Sequence, residues 1–139
     1  MAITRADIEN IDLGDLQELI DNKVAEGILY EYKRDPYGRT DDDKKEFLKD
    51  ASSFANTAGG HILVGIAEKE GLPTSIPGVE IDLDQEKLRL ESLLRDRLEP
   101  RILGVRIVPI DLKDGRRVPV VRIPRSWRPL MLYCKTSRD

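Results

Sequence analysis

A chain of 139 residues, 40% hydrophobic and 35% charged, is long enough for one domain core and too apolar for a disordered chain. Its single cysteine, Cys134, excludes an internal disulfide and a multi-cysteine zinc site, and no apolar run approaches the roughly 20 residues that span a bilayer. The net charge of −3 hides an asymmetry: residues 1–99 carry a net −10, whereas residues 100–139 carry ten Lys and Arg against Asp111, Asp114 and Asp139, a net +7.

These features predict a cytoplasmic protein without a membrane segment. The basic C-terminal part points to an anionic partner, and because Arg dominates it, phosphate suits the planar guanidinium fork. A solvated surface whose arginines pair with the acidic part of the same fold explains the asymmetry equally well.

In chain order, Leu13, Leu16, Leu19 and Ile20 fall at helical spacing and predict a short helix over 12–22. Ile28 to Lys33 reads as a strand, and Arg34 to Thr40, with Pro36 and Gly38, as a loop. Asp41-Asp42-Asp43 opens a second helix, an acidic start that favours the helix dipole and reads as a solvated N-terminus rather than a metal site. Its buried face is Phe47, Leu48, Ala51, Phe54 and Ala55, and Gly59 or Gly60 ends it. His61 to Ala67 is an apolar strand, and Glu68 to Gly78 a loop. Residues 82–98 form a third helix with Leu88, Leu90, Leu93, Leu94 and Leu98 on its apolar face. Leu103–Leu112 and Arg117–Ile123 are strands joined by a hairpin at Asp114-Gly115, and Leu130–Cys134 is a candidate last strand. The order αβαβαββ(β) predicts an α/β (α+β-like) domain with a mixed sheet and about three helices.

Two segments carry candidate chemistry. Glu31 and Lys33 share one face of a strand, and Glu26 lies just upstream across Gly27. Carboxylates holding a divalent metal beside a Lys form half of a common nuclease site; an exposed ion pair on a sheet explains the same residues. Phe54-Ala55-Asn56-Thr57-Ala58-Gly59-Gly60 is a helix end followed by a buried strand, whose amides suit a phosphate oxygen or simply cap the helix. No phosphate-binding loop of the Gly-x-x-x-x-Gly-Lys-Ser/Thr type is present, which removes support for ATP hydrolysis. His61, the sole histidine, reads as a packing or hydrogen-bonding residue rather than a general base. Trp127, between Arg125 and Arg128, suits base stacking or anchoring of the last strand.

Glu26-x-x-x-x-Glu31-Tyr32-Lys33, the helix ending Phe54-Ala55-Asn56-Thr57-Ala58-Gly59-Gly60, the strand Ile62–Ile66, Pro100, and the ending Val120–Pro124 with Ser126-Trp127-Arg128-Pro129 together resemble the Schlafen Alba-like domain, from about residue 24 to about residue 133. That family has also been labelled a divergent AAA or ATP-binding domain. The resemblance implies a single nucleic-acid-binding domain over residues 1–139, as found at the N-terminus of longer prokaryotic proteins described as transcriptional regulators, and a homodimer. It also implies a runner-up function, an endoribonuclease using three carboxylates with Mg²⁺ or Mn²⁺. Glu26 and Glu31 match the first two of these; at the third, where the family has an Asp pair, this chain has Ala67-Glu68.

Three functions are thus expected in order. The first is a cofactor-free DNA- or RNA-binding module using Lys33, Arg34, Asn56, Gly59, Gly60, Arg116, Arg117, Arg122, Arg125 and Arg128. The second is a metal-dependent nuclease using Glu26, Glu31, Lys33 and Glu68. The third is a protein-interaction or oligomerisation domain.

Overall fold

The structure, a computed structural model, describes residues 11–99, 101–126 and 131–132. In chain order the elements are α1 (Leu13–Asp21), β1 (Tyr30–Lys33), α2 (Asp41–Ala55), β2 (Gly60–Val64), β3 (Ala67–Lys69), β4 (Leu72–Ser75), α3 (Leu83–Arg97), β5 (Leu98–Glu99), β6 (Arg106–Asp111), β7 (Arg117–Ile123) and β8 (Met131–Leu132). Three helices and a mixed four-stranded sheet make an α+β domain, as the periodicity predicts.

Side chains start each helix. Asp12 and Asp15 cap α1 reciprocally, Thr40 and Asp43 do the same for α2, and the Asp82 carboxylate accepts the Gln85 amide at the start of α3. Each such cap satisfies amides the helix leaves open and contributes about 1 kcal/mol.

The main sheet has the order β1-β2-β7-β6. β1 and β2 run parallel, so α2 is the crossover between them, while β7 is antiparallel to both β2 and β6. Alternation splits the sheet's side chains between two cores. Ile62, Val64, Val121, Ile123 and Ile107 face α2 and α3 with Phe47, Leu48, Leu90 and Leu94. Tyr30, Tyr32, Leu63, Val118 and Val120 face the other way, onto Leu16 and Leu19 of α1.

Pro109 of β6 lies directly opposite Pro119 of β7. Two prolines cannot exchange N–H···O bonds, so this is a non-hydrogen-bonded pair: the Pro119 nitrogen faces β2 and the Pro109 nitrogen faces the outer edge. The β2–β7 ladder accordingly begins only at Leu63 and Val120.

Several expectations change. The predicted loop after Glu68 folds as the hairpin β3–β4, turning at Glu70 (φ 54°) and Gly71 (φ 81°). A two-residue turn with both φ positive matches strand twist, but Glu is a poor signal for it. Leu88 is 62% exposed and not part of the α3 core face. β8 pairs with β5 in a separate two-stranded ladder rather than extending the main sheet. Trp127, Arg128 and Cys134 lie outside the described residues.

Candidate functional site

The parallel β1–β2 pair and the antiparallel β7 and β6 give the sheet two unlike ends. At one end β1 and β2 start, β7 finishes and β6 starts; at the other, β1 delivers Lys33 toward the N-terminus of α2.

The α2 face of β1 is acidic. Glu31 stands opposite Ile62, so its side chain points toward α2, where Asp50 lies. Burial, a hydrogen bond with Glu26 and the charges of Asp50 and Glu26 push the Glu31 carboxyl up to about 8, against the opposing charge of Lys33. The Glu31 carboxyl is therefore largely protonated at neutral pH. Glu26 also accepts the Tyr32 amide at 3.0 Å, and its own amide donates to the Gly71 carbonyl at 2.8 Å.

Lys33 binds Glu46 at 3.1 Å and stands 4.7 Å over the Tyr37 ring. The buried Tyr37 hydroxyl donates to Asp50 at 2.7 Å, and burial raises the Asp50 carboxyl despite that bond. Lys33 and the exposed Arg34 line a cleft of about 320 Å³ with Tyr37, Asp43, Glu46 and Glu68. Glu46 and Asp50 escape a motif reading because their only signal is a four-residue spacing on α2, which places both on the flank beside β1.

A divalent-metal centre built on Glu26, Glu31 and Glu68 does not fit this arrangement. Glu26 and Glu31 converge, and the Glu68 carboxylate accepts the amide of Gly71, whose carbonyl takes the Glu26 amide. Among the described residues no group of three or more His, Cys, Asp or Glu side chains is arranged to hold a metal ion.

The arginines divide into two sets. Arg116 donates to the Pro77 carbonyl at 3.4 Å and lies 3.7 Å from Glu80, while Arg117 pairs with Asp111 at 3.1 Å. Arg122, at the other end of β7 and on the opposite sheet face, forms no ion pair with any described residue. Arg116 and Arg117 therefore do not share one stripe with Arg122. Instead, strand register lines up Tyr30, His61, Arg122 and Arg106 across the four strands.

The turn after α2 completes this end. Asn56 is the C-cap of α2, and Gly59 adopts φ 79° with its Cα packed against Ile123–Arg125: a Cβ there would lie 2.8 Å from the Ile123 carbonyl. The Ser126 amide donates to the Ala55 carbonyl at 2.7 Å, holding Arg125 beside the turn. Gly60 has the Phe54 ring where a side chain would go. His61 is 6% exposed, stacks on Tyr30 with ring centres 6.0 Å apart, and leaves its Nε2 without a hydrogen-bond partner. Burial and the Arg122 charge depress its pKa to about 4, so it is neutral. Lys33 and Arg34 belong to the far end and do not join this group. Arg106 joins it unforeseen, although the hairpin register at Asp114-Gly115 would have placed it opposite Arg122.

The family model described as Schlafen, AlbA_2 matches residues 26–138. Among solved structures, the N-terminal domain of a RecG-related protein from Nitrosomonas europaea is similar at 24% identity with a TM-score of 0.60, over 86% of this chain and 80% of that one. The DIP2311 protein from Corynebacterium diphtheriae is similar at 19% identity with a TM-score of 0.52; the match covers 86% of this chain but only 24% of that one. At such identities the likeness shows a shared fold. No curated protein matches the chain.

Proposed function

We propose that this chain, which belongs to the Schlafen AlbA_2 family, is a nucleic-acid-binding domain that holds phosphates at the sheet end formed by Arg106, Arg122, Arg125 and the Asn56–Gly60 turn. One observation carries the reading. Register brings Arg122 opposite Arg106, the Gly59 turn packs on Arg125, and no described carboxylate pairs with Arg122. Phosphate contacts of this kind give affinity that falls steeply with salt and carries little sequence information. Such a module suits the DNA-contacting part of a regulator, and a homodimer would double the phosphate-binding surface. Among the described residues no helix is long and apolar enough to cross a membrane.

The test is electrophoretic mobility shift on single- and double-stranded DNA and RNA, with a tRNA lane, in Mg²⁺, Mn²⁺ and EDTA. Salt-sensitive retardation without cleavage, lost in Arg122→Glu with Arg125→Glu and kept in Arg117→Ala, is the expected result. Retardation by none of the ligands would turn the reading toward a protein partner. Metal-dependent cleavage that vanishes in Glu31→Ala would establish a nuclease instead.

A further inference from the structure

Strand register sets one imidazole and two guanidinium side chains in a row at the start of β2. Arg122 of β7 stands between His61 of β2 and Arg106 of the outer strand β6. Val121, Ile123 and Ile107 face α2 and α3, so Arg122 and Arg106 project from the opposite sheet face. His61 is on that face too, stacked on Tyr30. Because Pro109 and Pro119 are a non-hydrogen-bonded pair, Arg106 and Arg122, three residues along, are a hydrogen-bonded one, with Cα atoms about 5.5 Å apart. Across the other side of β7, His61 and Arg122 form the narrower, non-hydrogen-bonded kind, at about 4.5 Å.

This row favours an anion on two counts. Like charges set directly opposite in a ladder are unfavourable, and the half-buried Arg122 has no ion pair with any described residue. A phosphate diester beside the two arginines offsets that repulsion, and either guanidinium fork suits its oxygens. His61, in turn, keeps a buried Nε2 with no hydrogen-bond partner, a state that costs about 1–3 kcal/mol. Burial, and after it the Arg122 charge, hold the imidazole at about 4. Among the described residues nothing else charged faces the ring. Burial keeps Tyr30 neutral, and Leu16 and Leu19 of α1 with Leu63 and Val120 complete that face.

We infer that Arg106, Arg122 and His61 work as one proton-linked phosphate site, in which the arginines hold a phosphate diester and His61 takes up a proton when it binds. The inference rests on the nucleic-acid reading above and adds a regulation to it. A bound phosphate cancels the field that Arg122 imposes on the ring, and gives the imidazolium a counter-charge. Linkage then runs both ways. The ligand raises the His61 pKa, and binding tightens as pH falls through that raised value toward about 4, where it levels off.

The probe is a thymidine oligonucleotide, whose bases stay uncharged across the acid range. His61 is the sole histidine, so its ring protons give one unambiguous nuclear magnetic resonance titration of the full chain. The oligonucleotide is expected to move the midpoint up by about one pH unit, equivalent to about tenfold tighter binding at the acid end. Fluorescence anisotropy at each pH reads that change in affinity directly. Carboxylates elsewhere titrate in the same range and affect every variant, so the comparison is with His61→Phe, which is expected to lack that tenfold gain. Arg122→Gln is expected to raise the ligand-free midpoint and to abolish its response to the oligonucleotide. Circular dichroism at each pH confines the comparison to folded protein. A midpoint that the oligonucleotide leaves in place, or equal pH dependence in the wild type and His61→Phe, overturns this inference while salt-sensitive binding leaves the phosphate reading standing. Binding at no pH overturns both.

Discussion

The Glu26 carboxylate accepts the backbone amide of Tyr32 at 3.0 Å, across the outer edge of β1, while it also shares a hydrogen bond with Glu31 on the α2 side of that strand. One side chain thereby couples the closure of a sheet edge to the protonation of a neighbour.

That coupling gives Glu31 a defined pH signature. Its folded pKa, about 8, lies above its ordinary value of 4.5. The native state therefore binds the proton more tightly than the unfolded chain, and stability falls as pH rises through that window, levelling off above about 8. Glu31→Gln removes the slope. Because the group is partly solvent-exposed, the gain at pH 8 is expected to be about 2 kcal/mol rather than the full shift. Urea unfolding of both proteins across the window measures it; parallel stability curves would refute the raised Glu31 pKa.

His61 acts with the opposite sign. Its folded pKa of about 4 lies below the ordinary 6.5, so protonation favours the unfolded chain and stability is lost as pH falls from 6.5 toward 4. His61→Phe keeps a ring against Tyr30 and removes the titration. The variant is expected to resist acid by roughly 2–3 kcal/mol at the low end of that range, with little difference at pH 8. Acid titrations followed by circular dichroism decide it.

Gly59→Ala places a Cβ 2.8 Å from the Ile123 carbonyl and 2.9 Å from the Arg125 amide, at φ 79°. Backbone atoms on both sides leave no flexible neighbour to yield, so a loss of about 3 kcal/mol is expected. Displaced Arg125 should also weaken nucleic-acid binding at temperatures where the variant remains folded. A denaturation curve paired with a binding titration tests both.

Arg117→Ala breaks only a partly exposed pair with Asp111. Exposed ion pairs contribute about 0–1 kcal/mol, so stability should hardly move. Binding should not either, since Arg117 is on the opposite sheet face from Arg122. A substantial loss of affinity in this variant would relocate the interface to the hairpin tip.

Much of this fold is legible in the residues, because caps, period and turn chemistry agree. Asp41-Asp42-Asp43 announces the start of α2, and Asp114-Gly115 announces the β6–β7 hairpin. The β3–β4 hairpin hides because Glu70 takes a left-handed φ that its side chain does not advertise. The pairing of Glu26 with Glu31 is suggested by their nearness across Gly27, whereas Glu46 and Asp50 join that cluster only through the packing of α2 on β1. For the arginines, composition reveals a basic region but not which members the fold neutralises. Arg116 and Arg117 find acids nearby; among the described residues Arg122 pairs with none, and strand parity sends it to the other face.

The two prolines that meet across β6 and β7 bear on how copies of this domain behave when crowded. With Pro109 removing a donor from one margin of the sheet, and Glu26 and Gly27 occupying the Tyr32 amide and Tyr30 carbonyl at the other, neither margin offers a full row of free peptide groups. Ribbon-like polymerisation, in which one sheet templates the next, is thereby discouraged at both ends of the strand order.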